Sequence, residues 1–170
     1  MKLDLKRVAQ QPGAVLPFAA ELDLSGVELN GGRPFCAPVQ VRGAVCNRAG
    51  AMELSAQLST VLSLACDRCA KPFEREKTVE YETLLALELA NGESDDIVVL
   101  NPDGELELDE LMREVFLLEM DTKNLCSSDC RGLCPGCGVD LNVEPCRCKR
   151  EIDPRLAKLA QLLEPEERSE

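Results

Sequence analysis

The sequence contains no histidine and no tryptophan, and its 170 residues include one tyrosine, Tyr81, and four phenylalanines, Phe18, Phe35, Phe73 and Phe116. Without histidine there is no Ser–His or Cys–His nucleophile, and no imidazole for a catalytic zinc ion. Neither a GxxxxGKS/T loop nor a Rossmann glycine pattern occurs, so the usual nucleotide-phosphate cradles are missing. No stretch approaches the roughly 18 apolar residues that cross a bilayer. The N-terminus, MKLDLKRVAQQPGAVLPF, lacks the apolar core and small-residue cleavage site of a secretory signal. Basic residues are in short supply: 19 Lys and Arg stand against 31 Asp and Glu, a net charge of −12. Such a surface repels nucleic acid and anionic membrane and favours basic protein partners. These absences predict a cytoplasmic, non-enzymatic protein with no small-molecule substrate and no membrane contact.

Cysteine is what the chain has in excess. Six of its ten cysteines fall between residues 126 and 148, in CSSDCRGLCPGCGVDLNVEPCRC. With no export signal, this density reads as reduced thiols holding metal and not as a disulfide scaffold. At the centre is Cys134-Pro135-Gly136-Cys137-Gly138, where a CxxC turn lets two thiolates reach one ion from the same side. Pro135 presets φ, and the glycines tolerate the tight backbone. An all-thiolate set at this spacing suits tetrahedral Zn²⁺ better than an Fe–S cluster, and it suits a structural site. A four-thiolate site usually draws its ligands as two pairs. Joining Cys134/Cys137 to Cys146/Cys148 leaves the eight-residue excursion GVDLNVEP, which is ample, and an extended CxC points both side chains the same way. Joining Cys134/Cys137 to Cys126/Cys130 demands a reversal within Arg131-Gly132-Leu133. The predicted metal ligands are therefore Cys134, Cys137, Cys146 and Cys148. Cys66, Cys69, Cys126 and Cys130 either complete a second site together or stay free thiols. Cys36 and Cys46 stand alone and are expected as small buried hydrophobes.

Along the chain, residues 1–24 alternate weakly and predict one or two short strands. From Val39 the period is two, through Val41, Gly43 and Val45 to a turn at Asn47-Arg48-Ala49-Gly50. Leu54, Ala56, Leu58, Thr60, Leu62 and Leu64 mark a long half-buried strand that runs into CDRCAKP. Phe73, Val79, Tyr81, Leu85, Leu87 and Leu89 resume the alternation. CDRCAKP is thus a connection between antiparallel strands, the wrong place for a redox CxxC, which sits at a helix N-terminus. Arg68 within it is free to meet phosphate, stabilise thiolate or simply be solvated. A short strand follows at Ile97–Leu100, then the turn NPDGE.

From Asp109 the period becomes helical, with Leu111, Val115 and Leu118 on one stripe, Met112 and Phe116 flanking it, and Asp109 as the cap. A last helix is predicted from Asp153-Pro154, carrying Leu156, Leu159, Leu162 and Leu163. The acidic runs Glu93–Asp96 and Glu105–Glu110 read as solvated turns and a helix N-terminus. The expected fold is α+β, an antiparallel β-meander with a C-terminal helix and a small Cys-rich zinc module. Residues 1–122 form the β-rich domain ending in an amphipathic helix, and 123–170 form the zinc module and last helix.

In CDRCAKPF, ELDELMREVFLLEM, and CSSDCRGLCPGCGVDLNVEPCRC followed by IDPRLAKLAQLL, the chain resembles the YceD family of large ribosomal RNA subunit accumulation proteins. The resemblance covers most of the chain from about residue 35. It implies a role in 23S rRNA accumulation and large-subunit assembly, with a gene often beside that of a large-subunit ribosomal protein, and it implies no catalysis. Some members keep CxRC without the C-terminal cysteines, which implies a role for Cys66 and Cys69 apart from a shared metal. Two readings of the partner follow: a basic ribosomal protein or pre-50S particle docked by the acidic body, or direct rRNA contact by the zinc module. Residues 123–150 carry five basic against three acidic residues, while the rest carries 14 against 28. A four-thiolate zinc site adds formally −2, and the module has no aromatic stacking platform, so the protein partner is the expected one. The carboxylates expected to carry that docking are Glu105, Glu107, Asp109 and Glu110.

Overall fold

The computed structural model of the chain describes residues 1–29, 31–88 and 97–148. The element order is β1 (Lys2–Asp4), α1 (Lys6–Gln10), β2 (Val15–Leu22), β3 (Val39–Arg48), β4 (Ala51–Ala65), β5 (Pro72–Ala86), β6 (Ile97–Val99), β7 (Glu105–Glu107) and α2 (Leu108–Leu118). Strands β2 to β6 form one sheet in sequence order, and β1 pairs with β7 in a separate two-stranded ribbon.

The antiparallel meander predicted from the period-two runs holds from β2 to β5. Its backbone is the β4–β5 hairpin, paired from Met52↔Leu85 to Ala65↔Pro72. At roughly 3.4 Å per residue each arm is about 50 Å long, with CDRCAKP at its tip. The sheet is not purely antiparallel, because β6 runs parallel to β5 with Ile97 opposite Leu84. Alternation reports which face a residue occupies and carries no information on strand direction, so this was invisible in the sequence.

One face of the sheet is buried. Val39, Val41, Val45, Leu54, Leu58 and Leu62 are at most 1% exposed and form the core with Leu5, Phe35, Leu108, Met112 and Phe116. The rings of Phe35 and Phe116 meet at 6.0 Å, tilted by 60°, within the range favoured by aromatic quadrupoles. Gly43 sits where a β-carbon would lie 2.3 Å from the Ser55 carbonyl oxygen and 2.6 Å from the Phe18 ring. The glycine is what lets Phe18 lie across β3.

Several local expectations are corrected. Residues 1–24 also hold a short helix, α1, whose five residues are too few for a periodic signal. Asp109 does not cap α2: β7 runs straight into the helix, Glu107 takes the cap position without a side-chain cap bond, and Asp109 instead pairs with the N-terminal amine of Met1. Leu118 is 84% exposed, and the helix buries Leu108, Met112, Val115 and Phe116. Cys36 is exposed and Cys46 half-buried on the outward side of β3. The predicted helix from Asp153, and the acidic turn Glu93–Asp96, lie outside the described residues. Among the described residues no helix is long and apolar enough to cross a membrane.

Asn47 is the buried polar residue on which the N-terminal packing turns. It is 1% exposed. Its amide donates to the carbonyls of Val8, at 2.7 Å, and Ala9, at 3.1 Å, while its oxygen accepts from the Gly50 N–H at 2.9 Å. One side chain thus closes both α1 and the β3–β4 turn. Asn47→Ala removes one buried and two part-buried hydrogen bonds to backbone groups and should destabilise the fold by about 1–3 kcal/mol. Urea unfolding should show a lower midpoint at an unchanged slope.

Candidate metal centres

Eight of the cysteines form two groups of four. The sulfurs of Cys66, Cys69, Cys126 and Cys130 all lie within 4.8 Å of one another, as do those of Cys134, Cys137, Cys146 and Cys148. All ten cysteines are free thiols. Four thiolates around one ion at about 2.3 Å in a tetrahedron stand about 3.8 Å apart. The Cys66–Cys130 and Cys69–Cys126 separations are 3.8 and 3.6 Å, and Cys137–Cys146 is 3.7 Å, while Cys134–Cys146 is tighter at 3.1 Å. The donor set fits a thiophilic ion in both groups.

The first group is assembled at the tip of the β4–β5 hairpin. Cys66 follows the last residue of β4, and the turn closes with Cys66 N–H to the Lys71 carbonyl and Ala70 N–H to the Cys66 carbonyl. Ala70 takes a positive φ of 57° there. The other two sulfurs arrive from the segment after α2, which is fastened to the hairpin residue by residue. Arg75 donates to the Leu125 carbonyl at 2.6 Å, and Arg75 and Lys77 both reach Asp121. Asp67 and Asn124 bond reciprocally, N–H of Asp67 to the Asn124 carbonyl and N–H of Asn124 to the Asp67 carboxylate. Arg68 is engaged by backbone. Its guanidinium donates to the Cys130 carbonyl at 2.6 Å, and its own carbonyl accepts from the Leu133 N–H at 2.9 Å. A β-carbon on Gly132, whose φ is +76°, would meet that carbonyl oxygen at 2.8 Å. The tight reversal at Arg131-Gly132-Leu133 therefore exists, but it leads from one group to the next and does not lie within one group.

The second group sits on a small hairpin in which Leu133 pairs with Asp140, Cys134 N–H bonds to the Val139 carbonyl and Gly138 N–H to the Cys134 carbonyl. The excursion GVDLNVEP is more than a spacer. Asp140 pairs with Lys71 at 2.5 Å and accepts from the N–H and amide of Asn142. Asn142 in turn accepts from the Arg131 N–H at 2.7 Å and donates to the Cys130 sulfur at 3.5 Å. These two side chains lock the second hairpin against the first group. Sequence reasoning missed them, and their signal was the Asp-x-Asn spacing, which favours side-chain to backbone bonds two residues on.

The thiols are differentiated by their surroundings. Burial pushes the Cys66 thiol up, but backbone N–H groups of Cys126, Cys69 and Arg68 outweigh it and hold the group at about 6. The N–H of Cys137, the Cys146 thiol and the N–H of Gly136 likewise hold Cys134 at about 6. Cys69 raises Cys126 to about 12, and Cys137 raises Cys148 to about 12. One thiolate in each group is welcome and a second is resisted by the first. A dication removes that repulsion, and thiolate metal binding releases the remaining protons.

With this geometry in view, the family described as "Large ribosomal RNA subunit accumulation protein YceD" matches residues 54–163, from β4 through both cysteine groups. The chain belongs to the YceD family. An uncharacterized protein of Mycobacterium tuberculosis is 27% identical over 175 residues, covering 98% of this chain and 83% of that one. The YCED homolog 1 of Zea mays, named a chloroplastic large ribosomal RNA subunit accumulation protein, is 27% identical over 77% of this chain and 56% of its own length. YlbN of Bacillus subtilis, also uncharacterized, is 24% identical over 99% of this chain and 100% of its own. No solved structure matches the chain.

Each group should bind one ion independently. Cys66→Ser and Cys134→Ser should each lower bound metal by one ion per chain, measured by elemental analysis of protein purified without chelator. The Cys134 variant should leave the β-sheet signal in circular dichroism unchanged, because β2 to β6 make no use of that hairpin.

Proposed function

We propose that the protein is a non-enzymatic assembly factor of the large ribosomal subunit, acting in the cytoplasm to support 23S rRNA accumulation. The observation that carries this reading is membership of a family named for large ribosomal RNA subunit accumulation. The proposed cofactor is zinc, one ion held by Cys134, Cys137, Cys146 and Cys148 and a second by Cys66, Cys69, Cys126 and Cys130. Zinc is redox-inert and closed four-thiolate sites are structural, which agrees with ligands that lock loops together and leave no open coordination position. X-ray absorption should then find sulfur alone around zinc, near 2.3 Å.

The proposed partner is a basic ribosomal protein or a pre-50S particle. The charge balance supports protein contact over rRNA contact. Two four-thiolate zinc sites each carry a formal −2, Arg68 is committed to Cys130 and Lys71 to Asp140. Residues 123–150 carry five basic against three acidic residues, an excess that the formal charge of two zinc sites more than cancels, so no net positive charge remains there for the phosphate neutralisation that dominates RNA affinity. The carboxylates expected from sequence to do the docking are mostly occupied: Glu105 and Glu107 face Lys2, and Asp109 holds the amine of Met1. Depleting the protein should lower mature 23S rRNA and large subunits while precursors accumulate, read by sucrose-gradient profiles and rRNA blots. A normal profile, including at low temperature, would overturn the assembly role.

A further inference from the structure

The outward face of the five-stranded sheet has no covering layer among the described residues, and its charges are sorted. The β5 sequence FEREKTVEYE alternates acidic and basic residues, and the pleat sends them to opposite sides. Arg75 and Lys77 turn inward to Asp121. Glu74, Glu76, Glu80 and Glu82 turn outward, all exposed. Directly opposite them on β4 stand Ser63, Val61, Gln57 and Ser55, none of which is a cation. Among the described residues none of the four carboxylates has an ion pair, whereas Glu28, Glu53, Glu105 and Glu107 all do.

Beside this row of carboxylates the sheet surface is low. Three of the outward residues of β4 are serines, Ser55, Ser59 and Ser63, and two shallow hollows follow the strand. One, of about 390 Å³, is lined by Gln40, Ser59, Val61, Glu76 and Thr78. The other, of about 340 Å³, is lined by Arg42, Ser55, Gln57, Glu80 and Glu82. A solvated surface ordinarily intersperses both signs. Here one sign forms a wall along the β5 side of a trough, whose other side carries the cation Arg42 on β3, and the cations of β5 itself are spent on the other face.

We infer that this trough, floored by β4 and walled by Glu74, Glu76, Glu80 and Glu82, docks an extended lysine- or arginine-rich segment of a protein partner. The occupant follows from charge complementarity. Same-face residues on a strand repeat at about 7 Å, the interval at which alternate side chains of an extended basic segment recur. The carboxylate wall repels RNA phosphate and anionic lipid, and a second copy of this chain would bring an identical wall. This inference deepens the assembly reading and rests on it for the identity of the partner, but the trough can be tested without it.

The probe is a fluorescein-labelled twelve-residue peptide of alternating lysine and serine, titrated against the full chain by fluorescence anisotropy at low salt. Reversing the wall (Glu74→Lys, Glu76→Lys, Glu80→Lys, Glu82→Lys) should weaken binding by about tenfold or more. A control with the same net charge (Glu28→Lys, Asp103→Lys, Glu114→Lys, Glu119→Lys) should stay within about threefold of wild type. Both variants should keep the wild-type circular dichroism and metal content. Equal affinities for the two variants, or wild-type affinity in the wall variant, would overturn the inference. So would an RNA oligonucleotide binding where the peptide does not. In depleted cells the wall variant should fail to restore large subunits where wild type and control succeed. Full restoration by the wall variant sinks the trough and leaves the assembly role standing. A normal subunit profile on depletion sinks the assembly role, and the anisotropy comparison alone then decides the trough.

Discussion

Four sulfurs within 4.8 Å of one another at the tip of a long hairpin are the constraint that the rest of this structure serves. Two of them, Cys66 and Cys69, come from the hairpin turn itself, and two, Cys126 and Cys130, come from the segment after α2. Bringing them together closes a long loop through the chain, which costs conformational entropy. That cost is offset by a series of specific polar bonds. Asp121 is held by Arg75 and Lys77, Leu125 by Arg75, Asn124 by Asp67, and Cys130 by Arg68. Hydrophobic packing contributes less there than in the body, since that cluster gathers only Phe73 and Leu125 around the sulfurs.

The two ends of the molecule are therefore stabilised by different physics. Around α1, α2 and the buried face of the sheet, apolar area removed from water does the work, with Asn47 as a buried polar hub. At the hairpin tip and beyond, directed bonds and metal-ready thiols take over. The second hairpin docks through Lys71–Asp140 and through Asn142, which touches the Cys130 sulfur. The Asn142 amide donates to the Cys130 sulfur, the kind of outer partner that orients a metal ligand. The two candidate centres are neighbours in a single polar network.

Charge is sorted by the same architecture. A chain with net charge −12 spends most of its interior-facing cations on holding the loop after α2 and the second hairpin. Four carboxylates with no ion pair among the described residues, Glu74, Glu76, Glu80 and Glu82, stand along the outward side of β5. An acidic, flat surface with no covering layer among the described residues is poorly suited to RNA and well suited to basic protein. This view agrees with a family named for ribosomal RNA accumulation, because assembling large subunits involves basic proteins as well as RNA.

Much of this was legible from residues alone. Period-two runs fixed β3, β4 and β5 because burial on one face of a pleat dictates which positions are apolar. The density of cysteine without histidine pointed to an all-sulfur donor set, and the two groups of four cysteines have that composition. The pairing of Cys134/Cys137 with Cys146/Cys148 could be argued from spacing because those ligands lie on one short stretch. Convergence of Cys66/Cys69 with Cys126/Cys130 could not, because partners nearly 60 residues apart meet only through the path of α2 and the clamp on Asp121. Direction was equally hidden: β6 has the composition of any short strand, and its parallel pairing with β5 appears only in the register. The roles of Arg68, Asp140 and Asn142 belong to tertiary structure as well. Each is an ordinary polar residue until the fold places a particular carbonyl, amine or sulfur within its reach, and hydrogen bonds are decided by distances that no local pattern encodes.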